Sequence, residues 1–268
     1  MTCLVGLAEW RLPVSGVEAV RLAAAVGADG VQLDLGGPGR GHWVDAPGRV
    51  DALLAAAHAQ GVRLLALAGN RFNDVGLTSD AATVRPLLER LLDAAVALGV
   101  PLAFVPSFRR GAIDGPDAFA RTAEALRWGA AEAAARGLVL ANENVLARDQ
   151  ARALVDRVGS TAFRLVLDTF NPVTAGLRAD ALVASLGDVV ADQVHLKDGP
   201  SDGGSSPLLG AGEGRLDDAV QALHAHSVAV RALVVENDYR DGDLARMSTD
   251  LAWARRRARR FTPTEAGR

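Results

Sequence analysis

Eight times along this chain a short apolar run rich in β-branched residues gives way to a longer run of helical period, and that alternation restricts the fold more than any other feature. The strand candidates are CLVGLA from Cys3, GVQLDL from Gly30, VRLLALA from Val62, PLAFVP from Pro101, LVLANE from Leu138, FRLVLD from Phe163, ADQVHLK from Ala191 and RALVVE from Arg231. Between them, segments such as VEAVRLAAAVGA and VRPLLERLLDAAVALG repeat apolar residues every three or four positions. Several close on a glycine (Gly27, Gly61, Gly99, Gly137), which can take the left-handed conformation that ends a helix. Strands alternating with helices imply parallel pairing. Eight units in 268 residues fit a closed, single (β/α)8 barrel of α/β class better than an open sheet.

No linker rich in Pro, Gly and Ser divides the chain, so residues 1–260 read as one barrel domain and 261–268 as a flexible tail. The Gly-rich loop GPSDGGSSPLLGAGEGR after strand seven lies inside a unit and has the length of a mobile lid. Its GAGEG lacks the spacing and strand context of a dinucleotide fingerprint. A net charge of -3 gives no general attraction for phosphate backbones or anionic lipid, so neither nucleic acid nor membrane is an expected partner. The one basic cluster, Arg255–Arg260, falls at the end of a helical pattern, where cations suit the helix dipole. Cys3 is the sole cysteine, which excludes an intrachain disulfide and a multi-cysteine metal site. With no secretory pattern at the start and no long apolar run, a cytoplasmic protein is expected. A homo-oligomer is compatible with the sequence but not encoded in it.

In a barrel of this kind the C-terminal strand ends share one bowl, the usual place for chemistry. Strand five ends in Glu143, strand six in Asp168, strand seven in His195 and strand eight in Glu236. Singly, a strand-end acid is commonly a helix cap, and a lone histidine commonly a hydrogen-bonded core residue; the run of four on consecutive strands carries the reading. Three carboxylates in one buried place repel one another, and a divalent cation resolves the repulsion. The donors are mostly hard, suited to Mn first, with Mg, Co and Zn also compatible. Lys197, two residues after His195, is the only lysine in the chain and is expected to share its face. An ammonium can give up a proton that a guanidinium retains, so Lys197 is a candidate proton carrier or oxygen donor. Trp10, His42, Trp43, Phe72 and Arg109 follow other strands and are candidate substrate contacts, each equally compatible with packing or capping. Trp10 and Trp43 are placed to wall a sugar face, and Arg109 to bind a carboxylate or phosphate.

The strand-end set, together with LDTFNP, VHLKDG, PLLGAGEGRLD and the final VVEN, resembles the xylose isomerase-like TIM barrels over nearly the whole chain. That group contains sugar isomerases and epimerases, inosose-processing enzymes and endonuclease IV. The resemblance implies one divalent metal held by Glu143, Asp168, His195 and Glu236. It also implies that the two glutamates act as bases on opposite faces of a keto sugar, beside a metal that polarises the carbonyl. Keto-sugar epimerases of the group often carry a histidine three residues after the strand-six aspartate; Asn171 stands here, a candidate substrate contact. An arginine often follows the strand-seven histidine, where this chain has SDGGSS. The expected activity is therefore isomerisation or epimerisation of a small keto-sugar, sugar or cyclitol derivative, without commitment to a ketohexose. A metal-dependent dehydratase acting on a related polyol or keto-cyclitol is the alternative, ahead of a non-catalytic metabolite-binding barrel or an endonuclease IV-like hydrolase.

Overall fold

The computed structural model describes residues 2–200 and 207–261. Eight parallel strands form the centre: β1 (Leu4–Ala8), β2 (Gly30–Asp34), β3 (Arg63–Ala68), β4 (Leu102–Pro106), β5 (Val139–Glu143), β6 (Phe163–Val166), β7 (Gln193–Leu196) and β8 (Ala232–Val235). Neighbours pair in the order β6-β5-β4-β3-β2-β1-β8-β7. Parallel bridges Leu165 to Val190 and Asp168 to His195 bring the two ends of that order together, so the sheet closes into a single (β/α)8 TIM barrel. A longer helix follows each strand: Val17–Ala25, Arg49–Gln60, Ala81–Leu98, Pro116–Ala135, Arg148–Val158, Ala179–Leu186, Leu216–Ala225 and Leu244–Ala258. Among the described residues no helix is long and apolar enough to cross a membrane.

The strand period of two separates two cores. Val5, Leu7, Val194 and Leu196 point outward and join the apolar faces of the helices. Ala66, Ala68, Leu102, Phe104, Ala141 and Val166 form a cluster inside the barrel, and Ala8, Leu65, Ala232 and Val234 another. Small residues make room there: a Cβ on Gly30 would stand 2.7 Å from both the Arg63 carbonyl oxygen and Leu65 Cγ. The helix-ending glycines behave as their positions require, with φ of 76° at Gly27, 64° at Gly61, 66° at Gly99 and 70° at Gly137.

The C-terminal segment and the loop after β7 carry contacts that their composition does not reveal. Phe261 belongs to the last 3-10 turn and sets its ring against His224 at a centroid distance of 6.3 Å; residues 262–268 lie outside the described residues. The basic cluster makes specific pairs, with Arg255 on Asp29 and Arg257 on Asp217. In the loop after β7, residues 201–206 lie outside the described residues, while the remainder is tied down. The buried Asp198 carboxylate accepts N–H groups from Gly199, Gly210, Gly212 and Gly214 at 2.9–3.0 Å, and Asp250 accepts that of Leu209 at 2.7 Å. A Cβ on Gly212 would come within 2.4 Å of Asp198 Oδ1, so glycine there follows from the approach of the amide to the acid. The amides of GAGEG that an anion would need are already occupied by this internal carboxylate.

Candidate active site

Glu143 is the last residue of β5, His195 lies in β7, and Asp168 and Glu236 stand just past β6 and β8. Because Val194 and Leu196 face the helices, His195 must face the barrel axis. All four residues are buried, and one donor atom from each lies within 4.8 Å of the others.

Every carboxylate of the set has one oxygen held by the protein. Glu236 Oε1 accepts from Trp10 Nε1 at 2.9 Å and Arg11 Nε at 3.2 Å. Glu143 Oε1 accepts from Asn171 Nδ2 at 2.7 Å, and Asp168 Oδ1 from the backbone N–H groups of Phe170 and Asn171. The other oxygens are left for the centre: Asp168 Oδ2 and Glu236 Oε2 are buried without a hydrogen-bond partner, as is His195 Nδ1. Nδ1 stands 3.1 Å from Glu236 Oε2 and 3.6 Å from Glu143 Oε2, ion-pair distances without a hydrogen bond. Buried polar atoms seldom go unpaired, and three converging on one point are what a cation would satisfy. The residues present therefore fit a divalent metal.

The electrostatics of the bare cluster agree. Burial pushes the Asp168 carboxyl up to about 7, with Glu236 and Glu143 adding to the rise and Lys197 opposing it. Burial works against a charged His195, yet the two glutamates override it and raise the imidazole to about 10. Glu236, despite burial, is held well below the usual carboxylate range by His195, Lys197 and Arg11.

A hydrogen-bonded line decides which ring nitrogen of His195 meets this centre. Gln193 Nε2 donates to the Leu65 carbonyl at 2.7 Å, an acceptor that cannot reverse, so Gln193 Oε1 must accept from Gln32 Nε2 at 2.9 Å. Gln32 Oε1 is then the atom 2.9 Å from His195 Nε2, and that nitrogen must carry a proton. In the neutral ring, Nδ1 consequently presents its lone pair to the acids, as a metal ligand requires. Neither glutamine was singled out in the sequence. The available signal was an amide within each of the apolar runs GVQLDL and ADQVHLK, a costly residue unless its hydrogen bonds are made inside.

A cavity of about 330 Å³ opens over the cluster. Trp10, Arg109, Asn171 and Lys197 line it, with Glu143 and Glu236 at its base. Lys197 Nζ donates to Asn171 Oδ1 at 2.9 Å, so one amide orients both the lysine and Glu143. Trp10 packs edge-on to Phe104 at 5.9 Å, beside His195. Arg11, absent from the sequence candidates, also lines the cavity. His42 lies apart, in an adjoining cavity of about 760 Å³ that shares Trp10 and Arg40 with the first. Trp43 and Phe72 line neither: Trp43 lies under the Arg90 guanidinium, 3.9 Å from its ring centroid, and Phe72 is fully buried in the outer core.

Residues 20–257 match the family model described as xylose isomerase-like TIM barrel. The chain belongs to the xylose isomerase-like TIM barrel family. Within that family it is 60% identical over 268 residues, all of this chain and 99% of the relative, to the 2-epi-5-epi-valiolone 7-phosphate 2-epimerase of Actinoplanes sp. SE50/110. Identity of that level over the full length makes this member of the family an isomerase or epimerase. Solved xylose isomerase-like barrels share the fold. A xylose isomerase domain protein of Planctomyces limnophilus superposes with a TM-score of 0.77 at 17% identity, covering 96% of this chain and 98% of the other. D-allulose 3-epimerase of Methylomonas sp. gives 0.74 at 18% identity, covering 96% and 98%.

Proposed function

We propose that this enzyme is a divalent-metal-dependent epimerase acting on a keto-cyclitol phosphate of the kind its Actinoplanes relative is named for, inverting the carbon next to the ketone. The observation that carries the reading is the pair Glu143 and Glu236. Each has one oxygen fixed by side-chain donors, and both lie at the base of one cavity, on different strands. A divalent ion, manganese by the hardness of the donors, would be held by Glu143, Asp168, His195 and Glu236 and would supply Lewis-acid polarisation of the ketone, acidifying the neighbouring C–H.

The chain's own residues do the rest. One glutamate removes the proton from one face of the ring carbon, and the other, entering the cycle protonated, returns a proton to the opposite face. After each turnover the two carboxyls have exchanged protonation states and are reset by solvent. Lys197, held by Asn171, is placed to donate to a substrate oxygen, and Trp10 keeps Glu236 oriented while covering one side of the site. A small-molecule substrate in a cytoplasmic setting completes the reading, supported by a lone, buried Cys3 and an acidic net charge.

The test is turnover of the keto-cyclitol phosphate in deuterium oxide with manganese. Epimerisation incorporates one solvent deuteron at the inverted carbon, and Glu143→Gln or Glu236→Gln lowers kcat by about 10²–10⁴-fold. A product lighter by one water would replace the epimerase reading with a dehydratase, and no exchange at all would overturn both.

A further inference from the structure

Among the described residues five cationic side chains line the catalytic cavity, and four are engaged. Arg11 pairs with Glu236, Arg40 with Asp74 and Arg240 with Asp238, and Lys197 donates to Asn171. The Arg109 side chain makes no hydrogen bond or ion pair among the described residues. Its surroundings do not neutralise it. Asp74, a carboxylate whose acidity Arg109 helps to raise, already holds Arg40 at 2.7 Å and Arg71 at 3.5 Å, so three guanidinium groups share this acid.

The backbone adds a second, independent observation. Arg109 has φ of 51°, in the left-handed region that glycine or asparagine occupies without strain and arginine does not. The turn is fixed from both sides: Gly111 N–H donates to the Phe108 carbonyl at 2.8 Å, and a Cβ on Gly76 would stand only 2.6 Å from the Arg110 carbonyl oxygen. A strained arginine kept at a cavity mouth with its fork unoccupied is a device for a planar or tetrahedral anion. The other candidate cradle, the glycine amides after β7, is filled by Asp198.

We propose that Arg109 anchors the phosphate ester of the substrate and so selects phosphorylated over free keto-cyclitols; the proposal rests on the epimerase reading given above. Inorganic phosphate is the first probe, titrated calorimetrically into manganese-loaded protein. Arg109→Asn, which tolerates the left-handed backbone and is expected not to lower Tm, weakens phosphate binding about 10- to 100-fold, the size of a charge-assisted hydrogen-bond pair. Arg109→Lys retains part of it, because an ammonium keeps the charge and loses the fork. In turnover, the ratio of kcat/KM for the phosphorylated to the free keto-cyclitol falls by the same factor in Arg109→Asn. If the wild type exchanges no proton in either cyclitol while phosphate affinity still follows Arg109, the epimerase reading falls and the anion site stands. If the wild type epimerises and both affinity and ratio are indifferent to Arg109, the anchor is overturned and the epimerase remains.

Discussion

At the scale of single residues, the cluster leaves each atom that would face a metal one job. Gln32 illustrates the dependence: its only role at His195 is to accept the Nε2 proton, and through that to aim Nδ1. Gln32→Leu removes the acceptor from a buried line, and metal affinity should fall about 10–100-fold, the usual cost of losing such support behind a ligating histidine, as measured by competition with a chelator. Asp34, at the end of β2, makes a different point. Burial raises its carboxyl to about 6 from an ordinary 3.8, with the Gly36 amide and Arg40 opposing. The folded state therefore holds this proton to higher pH than the unfolded chain, and stability falls as pH rises from about 4 to about 6. Asp34→Asn should remove that decline and gain ~1–2 kcal/mol at neutral pH, the residue's partial exposure keeping the gain small. Urea denaturation at a series of pH values would show it, and an unchanged slope for the variant would refute it.

At the scale of elements, the loop after β7 is held by an acid that the sequence presents as one more polar residue of VHLKDG. Asp198 gathers amides from both arms of the loop and, through its own N–H on Asn237, ties them to the end of β8. Asp198→Asn replaces one acceptor oxygen with a donor facing other donors. It should cost about 1–3 kcal/mol and speed hydrogen exchange at Gly210, Gly212 and Gly214, with strand amides remote from the loop unaffected. The helices were legible element by element because their apolar spacing and closing glycines are local signals. The glutamine line was not, because Gln32 and Gln193 are 161 positions apart and meet only after the sheet has curved round on itself.

At the scale of the molecule, ring closure between β6 and β7 sets Asp168 beside His195 and so completes the cluster. Bare, that cluster places three carboxylates and an imidazole in a buried centre, so metal binding and folding should be linked. Adding EDTA in excess of manganese should lower Tm by about 5–10 °C, and restoring manganese should recover it; at a hundred times Kd the ion contributes about 2.7 kcal/mol, spread over a domain of this length. Equal Tm with and without the ion would argue against the cluster as a metal site.

By itself the sequence determined the alternation of eight strands and helices, and with it the barrel and the four strand ends that meet at its mouth. Those are consequences of periodicity and order along the chain, which need no knowledge of distant partners. Only the tertiary structure decided which way the loop residues after the strands turn. Arg109 enters the cavity, Trp43 lies under Arg90, Phe72 sinks into the core and His42 faces the neighbouring cavity, although all four follow strand ends in the same manner. A loop side chain has no period to fix its direction. Packing against elements far away in sequence sets it, and that packing exists only once the barrel has closed.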